Sequence, residues 1–299
     1  MSSQSPLLTA LRNDGYVIIP ALLSPKDLAL LREAARRTTD LARSGTWPYV
    51  RTLPRQFPPW PISTPSSPPK NGIWGVQGLL NPELPDHEAF TKSYFSSTTL
   101  DVVKELLQCT HEDLVMELFN LLVRPDSDFE LRWHRDDIPA SATAEEETSR
   151  LAEPAWHAQW NLALYDDQSL IVVPGSHARS RTDEERAAGP FEREMPGQVK
   201  LMIKAGDVVF YDNNILHRGV YSSAIERCTL HGSVGHVKGS KVRARNVLQH
   251  GVGEWVEKCD FSCLGDEREM EKERAEGMRR RLVEMGRSSG GDLGYSLEG

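Results

Sequence analysis

The sequence predicts a mainly β protein, a sandwich or barrel with flanking helices. Three observations carry this. From Leu122 onward the chain breaks into short β-prone runs separated by turns: Phe129–His134, Trp160–Leu164, Ser169–Val173, Val199–Ile203, Asp207–Tyr211 and Arg227–Gly232. Before that point apolar residues recur mostly at helical spacing. The chain has 299 residues, 39% hydrophobic and 26% charged, enough to bury one sizeable core.

The elements follow in order. Pro6–Arg12 carries leucines at helical spacing and stops at Asn13-Asp14-Gly15, where glycine suits the left-handed position past a helix end. Tyr16–Pro20 (YVIIP) is a short strand. Ser24-Pro25 opens a second helix, serine as N-cap and proline in the first turn, with Leu28, Leu30, Leu31 and Ala34 as its apolar stripe. Seven prolines between Pro54 and Pro69, interleaved with Ser, Thr and Trp60, exclude a helix or inner strand. That stretch reads as a surface loop or as the wall of a pocket. Asn71–Asn81 reads as a strand broken by glycines, and Leu100–Leu107 and Asp113–Leu121 as two amphipathic helices. Ala144–Arg150 and Arg179–Glu194 are polar insertions. Gly265–Arg287, dense in Glu and Arg at spacings of three and four, reads as an exposed helix, and Ser288–Gly299 as a fraying end. No boundary divides the chain. The expected organisation is a single domain over 1–299, with a helical part over 1–121, a β core over about 122–237 and a helical tail over about 255–299.

Composition excludes several classes of function. A net charge of -8 argues against a nucleic-acid binder, which needs clustered positive charge. No run of about 18 apolar residues is present to span a membrane. The start, MSSQSPLLTALRNDG, lacks a basic flank followed by an apolar stretch. Four cysteines are too few for a disulfide scaffold and read as reduced thiols in a cytoplasmic protein.

The chemistry concentrates in FELRWHRDDI at Phe129–Ile138 and DVVFYDNNILHR at Asp207–Arg218. On a strand, residues i and i+2 share a face, so His134 and Asp136 point one way and Arg135 the other. An imidazole and a carboxylate so placed can ligate one divalent metal, although nine histidines in a chain produce such a spacing by chance as well. Asp137 is the alternative carboxylate. His217, at the start of a later β run, is the candidate third ligand. Two histidines and one carboxylate leave coordination positions open, which suits non-haem Fe(II) and O2 chemistry; zinc is equally allowed by the ligands alone. Arg227 lies ten residues after His217, on what reads as the neighbouring strand. A guanidinium buried there needs an anion, and its fork matches a carboxylate. A dicarboxylate able to chelate iron at one end and meet Arg227 at the other is 2-oxoglutarate. Thr229, on the same face, adds a hydroxyl.

HRD at His134–Asp136, VVPGSH at Val172–His177, AGDVVFYDNNILHRG at Ala205–Gly219, Arg227 and the opening LLTALRNDGYVIIPALLSPKDLALLREAARR together resemble the phytanoyl-CoA dioxygenase family of Fe(II)- and 2-oxoglutarate-dependent oxygenases, over most of Leu7–Val237. The resemblance implies a double-stranded β-helix, a cupin-like jelly roll, with flanking helices. It implies iron held by His134, Asp136 and His217, and the distal carboxylate of 2-oxoglutarate held by Arg227. Trp160 aligns with an aromatic that lines the cosubstrate pocket in some members. The family often carries serine two residues after the distal histidine, where this chain has Gly219.

The expected activity is therefore oxidation of a small organic molecule: hydroxylation, desaturation or ring closure, in a role such as secondary metabolism. The expected cofactors are Fe(2+) and 2-oxoglutarate, with O2 as cosubstrate. Expected pocket walls are Trp74 and Gln77 from Asn71–Gln77, the proline-rich loop, and Trp133 or Arg135. The expected partner is the small-molecule substrate, with no nucleic acid and no membrane, and a homodimer stays open. Two alternatives remain at this point: a β-sandwich that binds a ligand without turnover, and a zinc- or nickel-centred hydrolase or isomerase on a cupin-type barrel.

Overall fold

The computed structural model describes residues 5–53, 63–70, 72–265 and 269–291. Most of the proline-rich loop, with Trp60, lies outside the described residues, as do Asn71 and positions 292–299 of the expected fraying end.

Two antiparallel sheets face each other in a double-stranded β-helix. The larger contains β1 (Tyr16–Ile19), β2 (Val50–Thr52), β3 (Ile73–Val76), β4 (Leu114–Val123), β6 (His157–Ala163), β9 (Val208–Tyr211) and β11 (Cys228–His236), ordered β1-β9-β6-β11-β4-β3-β2. The smaller contains β5 (Phe129–Glu130), β7 (Leu170–Val173), β8 (Val199–Lys200) and β10 (Leu216–Tyr221), ordered β5-β10-β7-β8. Non-consecutive neighbours in both sheets bring residues distant in sequence onto one inner face.

Helices cover the outer face of the larger sheet. α1 (Pro6–Asp14) and α2 (Pro25–Arg43) start as their sequences dictate: Ser5 and Ser24 accept the backbone N–H of Leu8 and Asp27, and Gly15 ends α1 at φ 80°. α3 (His87–Tyr94), α4 (Ser97–Leu107), α7 (Lys241–Gln249) and α8 (Glu269–Arg287) complete the layer, while α5 (Ala144–Leu151) and α6 (Asp183–Ala187) form the two polar insertions. The main core lies between helices and sheet and includes Phe90, Tyr94, Phe119, Trp160 and Phe210. α8 is not fully exposed: Ala275, Met278 and Leu282, at helical spacing, are completely buried.

Asp113–Leu121 is not a helix. Leu114–Val123 is a ten-residue strand between β11 and β3. Nearly every residue of LVMELFNLLV is buried, because helices cover one face and the second sheet the other. Such a strand reads as a continuous apolar run and loses the alternation that marks a strand in sequence. β structure thus resumes at Leu114, within the part expected to be helical.

Candidate metal centre and its surroundings

The inner face of the smaller sheet brings the His-x-Asp run to the distal histidine. His134 and His217 sit directly opposite, exchanging two backbone hydrogen bonds of 3.0 Å each. Asp136 follows, its N–H bonded to the Asn213 carbonyl at 2.9 Å. His134 Nε2 lies 3.5 Å and His217 Nε2 3.7 Å from Asp136 Oδ1, and the two rings are 4.3 Å apart between centroids. The triangle opens to solvent on one side: the side chains of His134 and Asp136 are 27% and 30% exposed, that of His217 only 7%.

Hydrogen bonding fixes both tautomers. His134 Nδ1 lies 2.7 Å from the Arg132 carbonyl and His217 Nδ1 2.8 Å from the Ile215 carbonyl. A carbonyl only accepts, so each Nδ1 carries the proton and each Nε2 keeps its lone pair. Two lone pairs and a carboxylate oxygen thus converge with no proton between them. Adjacent ligands on a metal at about 2.1 Å stand roughly 3.0–3.4 Å apart, close to the observed triangle. Burial, then repulsion from His217, push the His134 imidazole down to about 4. Burial pushes the Asp136 carboxyl up, but His217, His134 and Gln159 outweigh it and hold it below its ordinary value. Both groups are thus in the ligating form at neutral pH.

The larger sheet supplies the opposite wall. Gln159 and Asn161 alternate with Trp160 on β6. Gln159 donates to Asp136 Oδ2 at 2.9 Å, and Asn161 Oδ1 lies 2.9 Å from His231 Nδ1. Arg227 and Thr229 share this inner face, Arg227 Nη2 donating to Thr229 Oγ1 at 3.2 Å. Arg227 also meets a protein carboxylate: its Nε and Nη2 lie 2.9 and 2.8 Å from Asp167 Oδ2. Its Nη1 is buried and, among the described residues, without a partner. The Tyr221 ring lies beside the guanidinium, 4.6 Å from its central carbon.

Several expected pocket residues lie elsewhere. Trp160 points to the helical side of its sheet, 1% exposed against Tyr94, Phe119 and Phe210, so it does not line the inter-sheet pocket. Its neighbours Gln159 and Asn161 hold that role, as strand alternation requires. Trp133 packs outside the smaller sheet with Val173, Met195 and Leu216, its indole N–H on the Glu192 carbonyl. Arg135 is a tie, donating to the carbonyls of Ser176, Asn214 and Arg179. Trp74 does reach the inner side, with ring centroids 5.3 Å from Phe129 and 6.1 Å from Tyr221. Gln77 is buried and accepts from Arg51 at 2.9 and 3.1 Å once its amide is oriented to match. Asp137 is turned to the Asn213 amide, leaving Asp136 in the triangle. The Gly219 position is filled from a neighbour: a Cβ there would stand 2.2 Å from the Tyr221 hydroxyl.

Asp167, Gln159, Tyr221 and Arg51 were not among the expected site residues. The alternation Gln159-Trp160-Asn161 carried the signal for one of them. A second grouping, Cys109, Asp113 and His236, lies at the far end of β11. There His236 Nδ1 accepts the Lys238 N–H, so its proton sits on Nε2 and neither nitrogen is free for a metal.

Fold and cluster define a double-stranded β-helix protein with a facial group of two histidines and one carboxylate. A family model for phytanoyl-CoA dioxygenase (PhyH) matches residues 11–224. The chain belongs to this family of non-haem iron, 2-oxoglutarate-dependent enzymes. No curated protein matches it in sequence. Among solved structures it is similar to AviO1 from Streptomyces viridochromogenes Tue57, with TM-score 0.55 and 18% identity over 79% of this chain and 96% of the other. EctD from S. alaskensis, solved with 2-oxoglutarate and 5-hydroxyectoine, gives TM-score 0.55 and 19% identity over 78% and 76%. HygX from Streptomyces hygroscopicus, solved with nickel, 2-oxoglutarate and hygromycin B, gives 0.53 and 14% over 77% and 86%. No helix among the described residues is long and apolar enough to cross a membrane.

Proposed function

We propose that this chain is an Fe(II)- and 2-oxoglutarate-dependent oxygenase acting on a small organic molecule. His134, Asp136 and His217 would hold the metal, and Arg227 with Thr229 the distal carboxylate of the cosubstrate. The observation that carries this reading is the pair of fixed tautomers, which leaves both Nε2 lone pairs beside Asp136. The unpartnered Arg227 Nη1 on the facing sheet supports the second half. The ligand-bound neighbours EctD and HygX are consistent with both.

Bound iron, 2-oxoglutarate and O2 supply the oxidation of an unactivated C–H bond, with succinate and CO2 released. The protein's residues do the positioning. The Arg132 and Ile215 carbonyls hold the two imidazoles in one orientation. Gln159 restrains the second Asp136 oxygen, so the carboxylate presents the first. Asp167 holds Arg227 in place and leaves one donor free.

The test is succinate release from 2-oxoglutarate, with metal content measured on anaerobically purified protein. The wild type is expected to bind one Fe(II) and release succinate slowly without prime substrate. His217→Ala is expected to lose both, and Arg227→Met to keep the metal while requiring at least tenfold more 2-oxoglutarate. One tightly bound zinc, with no succinate under any condition, would sink the proposal.

A further inference from the structure

Three arginines stand beside the inter-sheet space, and they differ in how their charge is met. Arg227 is paired with Asp167. Arg243 is bidentate to buried Glu117, with two contacts of 2.8 Å. Arg51 has no such partner: among the described residues no carboxylate comes within ion-pair distance of it. Its protein contacts are neutral. The Gln77 amide oxygen accepts from Nε and Nη2, and the guanidinium lies over the Trp74 ring at 5.3 Å. Among the described residues Nη1 has no protein partner, and the side chain is partly exposed.

The fold makes room for this arginine in an awkward place. Arg51 is paired in register with Gly75 on β3, where a Cβ would stand 3.2 Å from the Arg51 Cδ. Its stem therefore lies over a strand position without a side chain, which directs the head inward. There it is near enough to Asp136, Tyr211 and Tyr221 to be stabilised by each, and it repels protons from His231 and His250. Burial lowers the guanidinium to about 10, far below the ordinary arginine value. Asp136 cannot serve as its counter-ion, because that carboxylate faces the two imidazoles and Gln159. A cation held this way, with no carboxylate at ion-pair distance among the described residues, is the arrangement expected where the anion arrives with a ligand.

We infer that Arg51 is a carboxylate-binding residue of the pocket, receiving the acid group of a bound organic molecule beside the His134–Asp136–His217 triangle. Phe129 and Tyr221, stacked with ring centroids 5.9 Å apart, make the neighbouring wall aromatic, which suits an apolar body on that molecule. The observations favour the prime substrate as the source, since Arg227 is already assigned to the cosubstrate. The substrate class that follows is an organic acid with a flat or bulky apolar body. This deepens the reading above and uses its metal centre only as a landmark.

The test is binding, measured by calorimetry on metal-free and Mn(II)-loaded protein. The probes are benzoate, phenylacetate and hexanoate, their neutral carboxamides, and 2-oxoglutarate. The variants are Arg51→Gln, which keeps a donor without charge, and Arg51→Lys, which keeps charge; circular dichroism confirms that each is folded. The wild type is expected to prefer at least one acid to its amide by about tenfold, Arg51→Gln to lose that preference, and Arg51→Lys to keep part of it. Unchanged 2-oxoglutarate affinity in Arg51→Gln assigns the carboxylate to the substrate; a tenfold loss there assigns it to the cosubstrate. No acid preference in the wild type, together with unchanged 2-oxoglutarate binding in Arg51→Gln, overturns the inference. Failure of the oxygenase reading would appear separately, as absent succinate release, because acid binding to metal-free protein does not depend on it.

Discussion

At the scale of single residues, the site separates groups that touch a ligand from groups that aim them. Gln159 belongs to the second kind. Its amide donates to the Asp136 oxygen that faces away from the imidazoles. Without it the carboxylate can rotate, and the neighbouring lone pairs lose their common focus. Partners of this sort change metal affinity by about 10- to 100-fold when removed. Gln159→Leu is therefore expected to weaken Mn(II) binding by that factor with the melting curve little changed, as read by calorimetric titration. Unaltered affinity would leave Gln159 with no part in aiming Asp136. The ligand candidates were legible from sequence because His134 and Asp136 are local and His217 lies in a turn-bounded β run. Asp167 was not, since only the folded chain brings it to Arg227, and for Gln159 the strand alternation marks the face but not its contact with Asp136.

At the scale of elements, the polar insertions have a structural task that their composition hides. Glu147 on α5 is completely buried and gathers three arginines. Arg181 Nε approaches it to 2.6 Å, Arg186 bonds its other oxygen, and Arg135 Nε stands 3.8 Å away. Arg135 is the residue between the two candidate ligands and ties their loop to the carbonyls of Ser176, Asn214 and Arg179. The stretch AEEETSR reads in sequence as a solvated insertion, because nothing local shows that one of its three glutamates turns inward. Removing one partner of a buried charge group costs about 3–5 kcal/mol. Glu147→Ala is expected to lose about that much in urea unfolding and also to weaken metal binding, since Arg135 would be released. A loss of stability with metal affinity intact would confine α5 to a purely structural role. The missed β4 has the same origin at larger size: covered on both faces, it shows neither the alternation of a half-buried strand nor any polar stripe.

At the scale of the whole molecule, the two sheets divide the work. His134, Asp136 and His217 all come from the smaller sheet and the loop after β5, while Thr229 lies on β11 of the larger sheet and Arg227 immediately before it. A metal alone ties together parts of one sheet. A dicarboxylate that meets the metal at one end and Arg227 at the other joins the two sheets, so the pair of ligands is expected to stabilise the fold more than the metal does. A ligand present at about 100 times its Kd adds about 2.7 kcal/mol. For a chain of 299 residues that corresponds to a rise in Tm of about 4 °C. Mn(II) is used because it does not turn over. Mn(II) with 2-oxoglutarate is expected to raise Tm by about this amount, Mn(II) alone by less, and 2-oxoglutarate alone by little. A chelator should reverse the effect, and His217→Ala should abolish it. Asp167→Asn should keep the metal shift and lose most of the cosubstrate increment, because Arg227 would no longer be held in place. Equal shifts with and without 2-oxoglutarate would mean that the keto-acid does not bridge the sheets, and Arg227 would then need another ligand.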